Sequence, residues 1–143
     1  MCLAAHEITL DQHYKIQHVK SGKYLSLFNT SKYNCSLEDF ESDSRQMWKL
    51  VPHGRGTNFI RFLNNEHKRV MDAPEKANDV YATPGDGENE YQLWLLSPSE
   101  GGHNYLHIIH ERGGRYLDGN GQDVYTHDHS WGNEYQYWCI DHW

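Results

Sequence analysis

Asn133-Glu134-Tyr135-Gln136-Tyr137-Trp138 rewrites Asn89-Glu90-Tyr91-Gln92-Leu93-Trp94 almost letter for letter, and Asp43-Ser44-Arg45-Gln46-Met47-Trp48 is a looser third copy. The steps from Gln46 to Gln92 and from Gln92 to Gln136 are 46 and 44 residues, so three periods nearly fill the 143-residue chain. A single Gln-x-Trp carries no information. Three at near-equal spacing mark a three-fold internal repeat, and such self-similarity constrains architecture before any local propensity does.

Outward from each copy runs the same succession of short apolar and polar alternations, the period of a half-buried strand. The first period reads as strands at 13–19, 23–28, 34–37 and 47–51, with a turn at Ser21-Gly22 and a break at Pro52-His53-Gly54-Arg55-Gly56. The second gives 58–63, 69–73, 79–82 and 93–96 around the turn Asn64-Asn65-Glu66-His67; the third gives 104–109, 115–119, 123–126 and 137–140 around Gly113-Gly114. No stretch carries a sustained helical period with caps. The expectation is an all-β chain of twelve short strands in one domain, with repeats at about 11–57, 58–103 and 104–143.

Composition agrees with a small aromatic core under many polar turns: 5 Trp and 10 Tyr are too many for a disordered chain. Net charge is −7, and the lysines of the first repeat stand singly among acidic residues. The basic footprint that neutralises a phosphate backbone is missing, so nucleic acid is not an expected partner. Three cysteines, Cys2, Cys35 and Cys139, form an odd set without CxxC spacing, which argues against a disulfide framework or a zinc site. Residues 1–7 lack the charged and apolar regions of a signal peptide, and no apolar run of membrane-spanning length follows. The expectation is a cytoplasmic protein without membrane insertion.

Sheets this polar would expose their edges, so closure into a barrel is expected, and three four-stranded units around one axis make a β-trefoil with pseudo-three-fold symmetry. A trefoil with one Gln-x-Trp near the end of each repeat resembles the ricin B-type lectins, and Tyr14-x-Ile16 followed by Ser21-Gly22-Lys23-Tyr24-Leu25-x-Leu27 is similar to their fungal members. The resemblance covers essentially the whole chain. It implies a carbohydrate-binding lectin for terminal sugars of glycoproteins or glycolipids, of galactose or N-acetylgalactosamine type, cytoplasmic and defensive in a fungal setting.

The Gln-x-Trp phrase itself reads as structural. Each Trp is large enough to fill a shared centre, and each Gln amide can satisfy loop backbone. Sugar recognition needs an acceptor for hydroxyl protons, an amide and a flat face for the C–H side of the ring. The resemblance assigns these to an Asp on the second strand, an aromatic or His after the third, and an Asn near the Gln. They fall on Asp72 and Asn89 in the second repeat, and on Asp118, His127, Trp131 and Asn133 in the third, with Tyr125 and His129 close by. The family's sugar-binding Asn abuts the Gln, whereas here Glu-Tyr intervenes, so Tyr91 or Tyr135 is the alternative to Asn89 or Asn133. Asp72 and Asp118 also have the simpler reading of turn residues. Trp131 and His127 give the third repeat a stacking surface where the second has Thr83 and Gly87, and the first repeat, with Ser26 and Asp43 at the matching places, is expected to be silent.

His127-Asp128-His129 holds two imidazoles at the spacing of one strand face, but no third ligand stands at motif spacing, and no metal or cofactor is expected. His107 and His110 read as strand-surface residues, and Cys139, behind a core Trp, as an inert buried thiol. No nucleophile elbow, phosphate loop or framed carboxylate pair occurs, so the chain does not read as an enzyme. Glycans are the expected partners, and a homodimer stays open. The alternative keeps the fold without the sugar, as a trefoil protease inhibitor or a docking subunit of a larger protein. The matched Asp and Asn of repeats two and three speak against it, since a docking surface gives no reason for the same polar set to recur.

Overall fold

The alternation becomes strand at every expected place in this structure, a computed structural model that describes residues 1–30, 32–52, 59–76, 78–86 and 89–143. The first repeat supplies β1 (His13–His18), β2 (Tyr24–Leu27), β3 (Cys35–Glu38) and β4 (Trp48–Pro52). The second supplies β5 (Phe59–Asn64), β6 (Val70–Asp72), β7 (Tyr81–Thr83) and β8 (Trp94–Pro98), and the third β9 (Leu106–His110), β10 (Tyr116–Asn120), β11 (Asp123–His127) and β12 (Trp138–His142). In β1, Tyr14, Ile16 and His18 are buried while the residues between them stay partly open, as a strand with one face on the core requires. The break at residues 53–56, the repeat boundary at 57/58 and Asn58 lie outside the described residues.

Six strands close on themselves. β1 pairs with β4, β4 with β5, β5 with β8, β8 with β9, β9 with β12 and β12 with β1, all antiparallel, which leaves the ring no free edge. The other six form the hairpins β2–β3, β6–β7 and β10–β11. These meet through Asp123 opposite Ser36 and through the bridges Asn34 to Tyr81 and Asp79 to Tyr125. A six-stranded barrel capped by three joined hairpins is a β-trefoil. Among the described residues, no helix is long and apolar enough to cross a membrane.

Three sets of equivalent hydrogen bonds hold barrel and cap together. Trp48, Trp94 and Trp138 are fully buried in one core, and their indole N–H groups donate to the carbonyls of Leu25, Met71 and Leu117 on the hairpins of their own repeats. A second set links each repeat to the one before it. His110 Nε2 meets Tyr91 O at 2.9 Å, Asn64 Nδ2 donates to Arg45 O at 2.9 Å, and His18 Nε2 meets Tyr135 O at 2.8 Å, closing the circle. The third set is in the turns, where Gly22, Lys68 and Gly114 donate to His18, Asn64 and His110 from left-handed backbone. His18, Asn64 and His110 follow one another at 46 residues, as do Gly22, Lys68 and Gly114, while the tryptophans step by 46 and 44.

His18, Asn64 and His110 offer the same donor and acceptor pair. Asn64 Oδ1 accepts from the backbone of Glu66 and His67 while its amide donates. In His18 the Nδ1 faces the Ser21 hydroxyl, and in His110 it accepts from Gly113 N–H, so the neutral ring with its proton on Nε2 satisfies both sites. Burial accordingly holds both imidazoles below the ordinary value.

Two expectations need correction. His107 and His110 are buried, not on the strand surface, because His110 fills the core position of His18 and Asn64, and His107 lies under the loop that follows β8. Cys2 and Cys139 are joined in a disulfide with Cα atoms 5.0 Å apart, so Cys139 is half of a cross-link and not an inert thiol. Pairing is set by distance in space, which an odd count does not constrain. Cys35 is the unpaired thiol, pushed up to about 12 by burial.

Three measurements follow from these contacts. In denaturant without reductant one thiol should titrate, and after reduction three; three before reduction would remove the cross-link. Lys68 occupies with φ +55° the turn position that Gly22 and Gly114 hold at +74° and +64°. Lys68→Gly should therefore stabilise by about 1 kcal/mol, read as a higher urea midpoint, and a lowered midpoint would show that the Lys68 side chain matters more than its backbone. A histidine whose folded pKa is depressed takes up protons on unfolding, so its contribution is present above 6.5 and is lost as pH falls through the folded value. The double change His18→Asn, His110→Asn, which copies Asn64, should flatten the fall of the urea midpoint as pH drops below 6.5; an unchanged slope would clear these two residues.

Candidate functional site

In each repeat the Gln of the repeated phrase ends a short 3-10 turn, Ser44–Gln46, Glu90–Gln92 or Glu134–Gln136. The residue ahead of the turn, Asp43, Asn89 or Asn133, caps it by accepting from the backbone N–H two residues on. This fixes where the two asparagines belong. Their carbonyl oxygens hold the turn, and their amide nitrogens remain for other partners; Asn89 Nδ2 reaches Asp72 Oδ2 at 3.5 Å.

The Gln side chain is buried and turned onto the hairpin. Gln136 Nε2 donates to Asp118 Oδ2 at 3.1 Å and to Asp128 O at 2.8 Å, while its carbonyl accepts from Ser130 N–H. Gln92 reaches the Thr83 hydroxyl, which donates to Asp72 Oδ2 at 2.7 Å, and Gln46 reaches Ser26. Ser26 and Asp118 are thus the floor on which Gln46 and Gln136 rest, and Asp72 lies under Gln92 through Thr83. Asp72 and Asp118 are both nearly covered, at 4% and 3% exposure. Burial is the main reason that the Asp72 carboxyl is held above its usual range, against the Thr83 hydrogen bond.

Pairing across the third hairpin sets Asp118 opposite Tyr125 and Tyr116 opposite His127, which puts these four residues on one face. Burial, the Asp118 charge and a hydrogen bond with Asp118 raise the Tyr125 hydroxyl above its normal value. His129 stacks on Tyr116, ring centroids 4.7 Å apart, and its Nε2 turns to Glu100 Oε1 at 3.2 Å. Trp131 stands out at 81% exposure. Both its neighbours are anchored, Ser130 to Gln136 and Gly132 to Glu100 Oε2. His127 is exposed, with Nδ1 3.3 Å from Asp128 O.

The second hairpin has the same plan with less on it. Asp72 faces Tyr81, as Asp118 faces Tyr125. Tyr81 is thus an aromatic partner of Asp72 that the sequence reading did not single out, and the repeated string Asp-Val-Tyr at 79–81 and 123–125 carries that signal. Gly87, which stands in the sequence where the third repeat has Trp131, lies outside the described residues. In the first repeat Ser26 stands opposite Ser36, and Asp43 is taken up by Arg45 through backbone and guanidinium bonds that hold its carboxyl down at about 2. Sequence reasoning also missed Glu100. It gathers His107, His129, Tyr137 and Gly132 from separated segments that no motif spacing links.

Comparison with known proteins places this geometry. No curated protein matches the chain in sequence. Among solved structures it is similar to the Macrolepiota procera ricin B-like lectin in complex with lactose, at 18% identity and TM-score 0.77, with 94% of this chain and 98% of that one covered. It is also similar to the designed three-fold symmetric protein ThreeFoil, at 21% identity and TM-score 0.77, covering 90% and 96%, and to SeviL bound to asialo-GM1 saccharide, at 15% and 0.76, covering 94% and 98%. These likenesses establish the fold. The family profile described as ricin-type beta-trefoil lectin domain-like matches residues 7–84, more than half of the chain. The protein belongs to that family, the ricin-type β-trefoil lectins, which bind carbohydrate without turning it over.

Proposed function

We propose that this protein binds terminal sugars of the galactose type on glycoproteins or glycolipids, chiefly through its third repeat and more weakly through its second. The observation that carries the reading is the pairing of an exposed indole, Trp131, with the hairpin face of Asp118, Tyr125 and His127. Gly119 N–H and Gln136 Nε2 each take one oxygen of Asp118. The Tyr125 hydroxyl is a third partner, so of a carboxylate's roughly four acceptor sites one remains for a sugar hydroxyl, on a group already oriented before ligand arrives. Trp131 offers the apolar face on which a pyranose ring lies, and Asn133 the amide. Asp72, Tyr81 and Asn89 repeat the polar part of this set without the platform. Lactose as the ligand of the Macrolepiota procera lectin supports a galactoside.

Two sites on one rigid trefoil let a weak single-site affinity serve through simultaneous engagement of clustered glycans. The Cys2–Cys139 bridge supports an oxidising compartment over the cytoplasm expected from the lack of signal-peptide features in residues 1–7.

A glycan array followed by calorimetry with lactose and N-acetylgalactosamine tests the assignment. Trp131→Ala lies on the surface and should leave the thermal midpoint unchanged while weakening binding by about 10-fold. Asp118→Asn should weaken it by ~10- to 100-fold, the loss of a charged hydrogen-bond acceptor, and Asp72→Asn should weaken it less. An array on which no glycan is retained would sink the lectin reading, and full affinity in both third-repeat variants would sink the placement.

A further inference from the structure

We propose that Glu100, His107 and His129 form a binding site for a divalent transition-metal ion of the zinc class. Three segments supply the donors: the loop after β8, strand β9 and the loop after β11. Glu100 Oε1 lies 3.1 Å from His107 Nε2 and 3.2 Å from His129 Nε2, and the three donor atoms fall within 4.8 Å of one another. A tetrahedral zinc ion with bonds of about 2.0 Å needs ligand edges of roughly 3.3 Å, which the two short separations already meet.

The hydrogen bonds of His107 are the independent reason to read this as a cation site. The other buried ring histidines, His18 and His110, each have one acceptor and one donor facing them, which suits a neutral imidazole. His107 has acceptors on both sides, Gln136 O at 3.2 Å from Nδ1 and the Glu100 carboxylate at Nε2. With its proton on Nδ1 the Nε2 lone pair points at a carboxylate oxygen, and with its proton on Nε2 the Nδ1 lone pair points at a carbonyl oxygen, so a neutral ring satisfies one side only. A second ring proton or a metal ion meets the need. A histidine that donates from one nitrogen to a backbone carbonyl while the other faces the ion is the arrangement that orients metal ligands.

The surroundings hold the donors in place. Glu100 Oε2 accepts from the Tyr137 hydroxyl at 2.8 Å and from Gly132 N–H at 3.2 Å, so Oε1, the atom that faces both imidazoles, is the one turned to the ion. The side chains of Glu100 and His107 are 9% and 5% exposed, while that of His129 is 33% exposed and borders solvent, giving an entry path and room for a water as fourth ligand. Two imidazoles and one carboxylate suit zinc and its neighbours; calcium and magnesium require six or more oxygen ligands. His127, the other half of the pair noted in the sequence, faces Asp128 O and does not join the set.

The test is titration of chelator-treated, unliganded protein with zinc alone by calorimetry, and with cobalt by the visible absorption of a tetrahedral ion. One equivalent should bind and raise the thermal midpoint. Both Glu100→Gln and His129→Gln should lower zinc affinity by at least about 10-fold and abolish the thermal shift, whereas His127→Gln should leave both unchanged. Because His129 is partly exposed, its variant keeps the core and separates lost ligation from lost folding. The absence of saturable binding, full affinity in the His129 variant, or loss of binding in the His127 variant would each overturn the site.

Discussion

Each tryptophan of the repeated phrase carries an N–H that would cost free energy if buried without a partner, and the carbonyl it finds belongs to the hairpin above the barrel. Everything else in the trefoil depends on that bond being made three times. It ties a barrel strand to a cap hairpin within each repeat, while His18, Asn64 and His110 tie each repeat to its neighbour. Neither set suffices alone. A repeat with its indole bonded still has an open strand edge, and only the third neighbour closes the ring.

This frame explains why the Gln beside the Trp is so constrained and the loops around it so free. The Gln spans hairpin and loop, and its amide stands on Ser26, Thr83 or Asp118 according to the repeat. Changing the floor therefore changes the surface presented above it without disturbing the frame. The three repeats have diverged on that principle. One carries an internal Asp43–Arg45 pair, one an Asp72–Thr83–Gln92 chain, and one an aspartate next to an exposed indole. Symmetry belongs to the buried bonds, and difference to the loops.

The third repeat concentrates chemistry because its loops are anchored from outside the repeated pattern. Among the described residues Glu100 has no symmetric equivalent in these contacts, yet it fixes Gly132 beside Trp131, and it holds His129 under the same loop. A residue of the connection between repeats two and three thus shapes a surface that the sequence assigns wholly to repeat three.

Twelve strands, their order, the closed barrel and the internal role of Gln and Trp were all legible in the chain, because a repeat read three times averages out the noise of any single segment and because alternation and turn chemistry are local. Asp118, Tyr125 and His127 were legible as a group for the same reason, since a hairpin pairs near neighbours. What stayed hidden is what depends on distance in space: the pairing of Cys2 with Cys139, the burial of His107 and His110, and the gathering of Glu100, His107 and His129. Contacts such as Cys2 with Cys139 and Glu100 with His129, 137 and 29 residues apart, leave no period in the sequence, and only closure of the ring brings them together.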